Sequence, residues 1–252
     1  PYHGRLVRCI DYELSRGCIY NCTFCLSPFQ REEYGTERGQ PGHPSQFRRE
    51  KSVDYIIKEI IYLKEKYNLD IIRYQDETFL TMRPKKLREL AKEYSKHVRL
   101  PFIIEATINT ITKDKIESLK RMGCISIGFG LESGSQRVRD KIIDKPHYTN
   151  EMVKDKLEIV KNSGISFMLY NIIGFPGEKE KDILETIKLN NLVKPPYCSM
   201  SYLQPWEGTA IRKSAKGKGN LGHDFSEIEA LLFQQKVSPL TKLDVSPELM
   251  AH

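Results

Sequence analysis

Short β-rich runs alternate with longer segments of helical period along most of the chain, and this alternation constrains the fold more than any other feature. The expected strands are Arg8–Leu14, Asp70–Gln75, Phe102–Ala106, Ile125–Leu131, Ile165–Ile173 and Cys198–Leu203. Between them lie amphipathic segments at Val53–Tyr67, Pro84–His97, Lys113–Met122, Glu151–Lys161 and Lys179–Val193. Val53, Ile56, Ile57, Ile60, Ile61 and Leu63 recur at three- and four-residue spacing, which builds one apolar helix face. Gly123 and Gly164 stand where helices end in a left-handed glycine, and Thr112-Lys113-Asp114 reads as a helix start. Such alternation implies parallel strands joined by right-handed crossovers. Six units are too few for a closed eight-unit barrel. The expected fold is therefore α/β: a partial, open (β/α)6 TIM-like barrel over residues 1–210, followed by a C-terminal linker and helical tail over 211–252. Within that tail Lys213–Asn220 reads as a basic linker and Phe225–Gln235 as one helix. The first crossover is unusually long, and its excess, Ser27–Glu50, reads as an exposed loop.

Composition excludes several classes. Hydrophobic residues make up 39% and charged residues 29%, which describes a folding chain with a real core rather than a disordered one. No apolar run approaches the ~18 residues of a membrane helix, and Pro1-Tyr2-His3-Gly4-Arg5 carries neither an apolar signal region nor a starting Met. The expectation is a soluble, cytoplasmic chain cut from something larger. A net charge of +7 and basic runs such as Arg48-Arg49, Lys85-Lys86 and Lys213–Lys218 raise a nucleic-acid-binding reading. Those basic residues are interleaved with acids on helix faces, the pattern of a solvated surface.

In parallel α/β sheets, functional groups gather where strands end at their C-terminal edge. The strand ends here carry Glu13 and Ser15; Gln75-Asp76-Glu77; Glu105, Thr107 and Asn109; Glu132-Ser133; Tyr170-Asn171; and Gln204 with Trp206. Six cysteines do not make a disulfide scaffold in a chain this long. Cys9, Cys124 and Cys198 are scattered and read as free buried thiols. Cys18, Cys22 and Cys25 fall together just after the first strand. Thiolates suit zinc or iron–sulfur clusters. A closed zinc site needs a fourth ligand, for which Cys9 or His43 is available. A [4Fe–4S] cluster on three thiolates leaves one iron open to an outside ligand.

The spacing Cys18-x3-Cys22-x-Phe24-Cys25, set after the first strand of a βα repeat, resembles the radical S-adenosylmethionine superfamily. Four further segments, in the family's order, carry the resemblance over roughly Arg8–Ala210: Gln75-Asp76-Glu77, Gly130-Leu-Glu132-Ser133-Gly134-Ser135, Tyr170-Asn-Ile172-Ile-Gly174-Phe-Pro-Gly177-Glu178, and Leu203-Gln-Pro205-Trp-Glu-Gly208-Thr209. The resemblance implies that Cys18, Cys22 and Cys25 each ligate one iron of a [4Fe–4S] cluster while S-adenosylmethionine chelates the fourth. It implies reductive cleavage of S-adenosylmethionine to a 5′-deoxyadenosyl radical that abstracts hydrogen from substrate. It also assigns cofactor contacts: Asp76 and Glu77 toward the methionine amino group, Glu132 and Ser133 toward the ribose and sulfonium side, and Asn171 and Ile172 toward adenine. Phe24, Glu105 and Leu203 complete the expected cofactor-binding set, and Trp206 either covers the adenine or packs. Gln75-Asp76 departs from the glycines of the family's element at that place, and Tyr170 stands where a glycine often does.

The stretches Ser15-Arg-Gly-Cys18, Asp76-Glu-x-Phe79 and Gly130-x-Glu-Ser-Gly-Ser135 look closest to the cobalamin-associated branch, with methylthiotransferases of tRNA sharing them. That branch implies cobalamin held by a domain preceding residue 1, methylation or ring chemistry on a small molecule, and an electron donor such as flavodoxin or ferredoxin. The competing readings are a tRNA-modifying relative and a structural metal module with a basic surface for nucleic acid.

Overall fold

A computed structural model of the chain describes residues 4–221, 238 and 240–245. Six strands form one parallel sheet: β1 (Cys9–Tyr12), β2 (Ile71–Tyr74), β3 (Phe102–Ala106), β4 (Cys124–Glu132), β5 (Ser166–Ile173) and β6 (Tyr197–Tyr202). They lie in chain order across the sheet, β1 and β6 at its edges, so the barrel is not closed. Pairing is in register for β1 and β2 (Cys9 beside Ile71 through Tyr12 beside Tyr74), and a bulge at Phe102/Ile103 shifts β3 against β4. The crossover helices are α2 (Val53–Tyr67), α3 (Pro84–His97), α4 (Lys113–Met122), α6 (Asn150–Ser163) and α7 (Glu180–Val193), with α1 (Leu26–Glu33), α5 (Gln136–Lys141) and α8 (Ala210–Gly217) as additions.

The chain divides into two compact units. The first comprises Pro1–Gly17, Arg48–Gly130 and Val153–Met168. Its helices begin and end where local chemistry requires. The Ser52 hydroxyl accepts from Tyr55 N–H at the start of α2, and the Thr112 hydroxyl accepts from Lys115 N–H at the start of α4. Gly123 ends α4 at φ 93°, a left-handed conformation that glycine adopts without penalty. One face of β1–β3 buries Tyr12, Ile72, Tyr74, Phe102 and Ile104 with Ile56 and Ile60 of α2 and Leu87, Leu90 and Tyr94 of α3. Tyr74 lies edge-on to Phe102, with ring centroids 5.2 Å apart, and Tyr94 meets the same ring at 5.4 Å. Each such side chain contributes roughly 1.5–3 kcal/mol of burial, and this aromatic group is the unit's anchor. On the other face of β1 and β2, Asp11 and Arg73 are exposed and joined by hydrogen bonds of 2.6 and 2.8 Å.

The second unit comprises Cys18–Phe47, Leu131–Met152 and Leu169–His252. Its core gathers Val138, Ile143, Phe175, Leu203, Ile211 and Ala215, with Phe24, Ile142 and Ile172 packed against them.

Three expectations need correction. Ser27–Glu50 is not simply an exposed loop: most of α1, a helical turn at Pro44–Phe47 and the strand Arg49–Glu50 lie within it. Arg49–Glu50 pairs antiparallel with Ser15–Arg16. Polar composition hid these elements, because short helices and ribbons fixed by neighbours need no amphipathic period. Lys213–Asn220 begins as α8 rather than as linker; the Thr209 hydroxyl caps that helix by accepting from Arg212 N–H. Of the scattered thiols only Cys124 is buried, while Cys9 and Cys198 are exposed because both lie on edge strands. The helix expected at Phe225–Gln235 lies outside the described residues. Among the described residues no helix is long and apolar enough to cross a membrane.

Candidate functional site

The path into the cysteine loop is set by two acids at the end of β2. The Asp76 carboxylate, 2% exposed, accepts from Leu14 N–H at 3.1 Å, from Ser15 N–H at 2.7 Å and from the Ser15 hydroxyl. Burial pushes the Asp76 carboxyl above the usual carboxylate range, although these three donors favour its charged form. The Glu77 carboxylate accepts from Gly17 N–H at 3.1 and 3.2 Å. Gly17 stands at φ 91°, where a side chain would be strained, and the next residue is Cys18.

The loop itself is held by side chains other than its cysteines. Arg31 of α1, buried, donates from Nη1 to the carbonyls of Cys18 (3.2 Å) and Tyr20 (3.3 Å) and from Nη2 to the Asn21 side chain. Thr23 donates from its N–H to Ile143 O (3.0 Å) and from its hydroxyl to Ile142 O (2.9 Å), while its carbonyl accepts from Ile211 N–H (2.9 Å). Cys18 N–H donates to the Ser27 hydroxyl at 3.3 Å. Cys25 N–H closes a turn onto Cys22 O at 3.0 Å. Cys18 and Cys22 are buried and Cys25 is half-buried.

Charge is also arranged around these thiols. Lys145 and Glu132 form a buried ion pair at 3.0 Å, their side chains 4% and 10% exposed. Burial pushes the Cys22 thiol up to about 12, Cys25, Glu132 and Cys18 add to the rise, and Lys145 opposes it. Burial works against the charge on Lys145, yet Glu132, Tyr148 and Cys22 together hold its ammonium above the ordinary lysine value. Glu132 adopts φ 63°, a left-handed conformation costing a non-glycine residue ~1–2 kcal/mol.

The expected cofactor contacts sort into distinct surroundings. Glu132 lies beside the thiols. Phe24 packs edge-on to Phe175, with centroids 6.2 Å apart, in the core that includes Leu203 and receives Ile172. The side chains of Ser133 and Asn171 are spent on neighbouring structure. The Ser133 hydroxyl meets that of Thr186 on α7 at 3.2 Å and accepts from Ser135 N–H at 3.1 Å. The Asn171 amide donates to Ser199 O at 3.1 Å, and its oxygen accepts from Asn190 of α7 at 3.0 Å. Asp76, Glu77 and half-buried Glu105 belong to the first unit. Trp206 is half-buried. Sequence reading missed Lys145, Arg31 and Thr23; no period marks them, because their roles arise from tertiary burial.

Among the described residues no three His, Cys, Asp or Glu side chains converge as they would on a single ion. His43 is engaged with the Ser45 hydroxyl at 2.7 Å, and Cys9 lies on the edge strand β1. A four-iron cluster asks something else of its ligands, one thiolate on each of three irons. The donor set fits that group: three sulfurs on a loop that the protein has already shaped, with a buried cation beside them.

Parallel strands in an open barrel, with a loop bearing three cysteines after the first strand, define an α/β architecture of the partial-barrel kind. The radical SAM superfamily profile matches residues 12–189, and the chain belongs to that superfamily. An uncharacterized methyltransferase of Pyrococcus horikoshii is 27% identical over 198 residues, covering 78% of this chain and 40% of the relative. A tRNA-2-methylthio-N(6)-dimethylallyladenosine synthase of Fervidobacterium nodosum is 26% identical over 219 residues, covering 79% and 45%. The chain thus spans less than half the length of these curated relatives. Among solved structures, the radical S-adenosylmethionine methyltransferase TsrM of Kitasatospora setae, with cobalamin and a [4Fe–4S] cluster bound, superposes with a TM-score of 0.66 at 15% identity, covering 80% of this chain and 38% of that one.

Proposed function

We propose that this chain is the core of a radical SAM enzyme in which Cys18, Cys22 and Cys25 hold a [4Fe–4S] cluster open to S-adenosylmethionine. The reaction we assign it is a cobalamin-assisted methylation or related C–H modification of a small molecule. When bound, the cluster supplies the single electron that cleaves the sulfonium C–S bond. The methyltransferase relative and TsrM support the methylation reading. Burial of Cys18 and Cys22 keeps water from two of the sulfurs, Lys145 offsets thiolate charge, and the same ammonium holds the Glu132 carboxylate in one orientation.

One observation carries this reading against a structural metal staple. Arg31, Thr23 and Ser27 already fix the loop backbone, so a metal is not required to shape it. The test is anaerobic reconstitution with iron and sulfide, expected to load about four irons per chain and, once reduced, to cleave S-adenosylmethionine. Cys22→Ala abolishes loading and Cys124→Ala leaves it intact. Stoichiometric zinc with no iron-dependent absorbance rejects the proposal.

A second reading, modification of tRNA, is favoured by the Fervidobacterium relative and by the net charge of +7. It requires tRNA affinity that falls steeply with salt.

A further inference from the structure

Residues 210–219 carry Arg212, Lys213, Lys216 and Lys218 and no Asp or Glu, so this stretch departs from the interleaved pattern of the other basic runs. Its helix, α8, buries Ile211 and Ala215 and leaves Lys213, Ser214 and Lys216 exposed. Two of the four cations are engaged: Arg212 pairs with Glu207 at 2.7 Å, and Lys218 donates to Pro176 O at 3.1 Å. Lys213 and Lys216, three residues apart and so on one side of the helix, have no partner among the described residues.

This helix is bonded directly to the cysteine loop, within the same compact unit. Thr23, the residue after Cys22, is clamped from two sides. Its N–H and hydroxyl donate to Ile143 O and Ile142 O just beyond α5, and its carbonyl accepts from Ile211 N–H of α8. One residue and one hydrogen bond therefore separate Cys22 from α8. A shallow cleft of about 120 Å³ lies over this junction, with Thr23, Lys141 and Ile142 on one side and Ile211, Ser214 and Lys218 on the other. Lys141, exposed and also without a partner among the described residues, carries the positive face across the cleft to α5. The face ends there: beyond Lys141 a recess beside Tyr20 and Asn21 bears Asp140 and Asp144.

We infer that the face formed by Lys141, Lys213 and Lys216 docks an acidic one-electron carrier protein, which delivers its electron to the cluster through the Cys22–Thr23 peptide. The inference rests on the function proposed above, whose reaction consumes one electron for each S-adenosylmethionine cleaved. In the delivery step the carrier's reduced centre is oxidised by one electron and the cluster is reduced by one; no bond forms or breaks. Encounters between redox partners are small and transient, so a few unpaired cations at the edge of a shallow cleft are enough to steer them. Nucleic acid fits the face less well. Residues 210–219 include no aromatic side chain on which a base could stack, and the acids beyond Lys141 interrupt any longer phosphate track.

The test uses purified flavodoxin, an acidic flavin carrier, and begins with calorimetric titration of the full chain, which requires no cluster. Saturable binding that weakens with added salt is expected. Lys213→Glu/Lys216→Glu weakens it about tenfold or more, whereas Lys92→Glu/Lys96→Glu, the same charge change at exposed positions of α3, leaves it unchanged. In reconstituted protein the α8 double variant slows reduction of the cluster by reduced flavodoxin to a similar degree, while reduction by dithionite, a small reductant that needs no docking face, keeps its wild-type rate. Absence of saturable binding, equal losses in the α8 and α3 variants, or an unchanged rate with flavodoxin overturns the inference. If the α8 double variant does not fold, equal affinity in Lys141→Glu and wild type overturns it. Binding of tRNA that depends on Lys213 and Lys216, with none of flavodoxin, also overturns it and makes the face a nucleic-acid surface. Failure of cluster reconstitution alongside flavodoxin binding that depends on α8 rejects the proposed reaction and leaves the docking face standing.

Discussion

Two strand ends carry buried acids that look alike in sequence and behave differently in the fold. At the end of β2, Asp76 spends its oxygens on Leu14, Ser15 and the Ser15 hydroxyl, so its charge is consumed in shaping the chain. At the end of β4, Glu132 faces one partner, Lys145, beside a cysteine whose titration both of them influence. A buried acid ringed by backbone N–H groups is architecture. A buried acid balanced by a single ammonium beside a thiol cluster is an electrostatic setting, and it is the one to which function is assigned here.

The most severe way to break this contrast is Lys145→Met. It leaves Glu132 buried without its counter-charge, and stability should fall by ~3–5 kcal/mol, with the double variant Lys145→Met/Glu132→Gln recovering much of the loss. Urea unfolding measures both. In reconstituted protein the single variant should also lower the cluster's reduction potential, because a buried cation stabilises the more negative reduced state. Unchanged potential would mean that the ion pair serves only the fold.

Glu178, after β5, sharpens the comparison as an acid of the Asp76 type within the second unit. Its Oε2 accepts from Gly174 N–H at 2.6 Å and Phe175 N–H at 3.1 Å, while Oε1 is buried without a partner among the described residues. Burial raises its carboxyl to about 7 despite those donors. The folded state then keeps a proton that the unfolded chain loses near its ordinary value of 4.5. Its contribution to stability is fully present below about pH 4.5 and is lost as pH rises through about 7, by up to ~3 kcal/mol. Glu178→Gln should flatten that part of the stability–pH curve. Asp76→Asn comes next, at ~2–3 kcal/mol, since the amide loses a charge-assisted acceptor and brings an N–H that Leu14 and Ser15 cannot all accommodate.

The course of the main chain was largely legible. β3, α2, α3 and α4 have the expected bounds, and the remaining core elements fall within a few residues of theirs, because period and capping are local properties. The direction of individual side chains was less so. Along β5, Phe167, Leu169, Asn171 and Ile173 are buried and alternate with half-buried neighbours. Asn171 is thus in phase with the apolar positions and turned toward Asn190 of α7, which strict two-residue alternation could have indicated. Lys145 offered no such signal. It lies between Asp144 and Pro146 in a polar stretch, and only the packing of Ile142 and Ile143 against Thr23 reveals that it is buried near Cys22. Arg31 was hidden in the same way, in a helix too short and polar to be read.

Ser133 supplies the smallest effect and the finest test of the distinction between architecture and site. It follows Glu132 directly, yet its hydroxyl is directed at Thr186 and Ser135, and its carbonyl accepts from buried Arg139 at 2.6 Å. The segment after it is pressed against α7: a Cβ on Gly134 would lie 2.5 Å from Glu185 O, and Gly134 N–H donates to the Thr186 hydroxyl at 2.8 Å. If the serine is part of that packing, Ser133→Ala costs about 1 kcal/mol in urea unfolding and leaves the affinity for S-adenosylmethionine unchanged. If instead the hydroxyl turns to the cofactor, affinity falls severalfold while stability barely moves. The two adjacent residues would then share one role, and the line between site and scaffold would have to be drawn after Ser133 rather than before it.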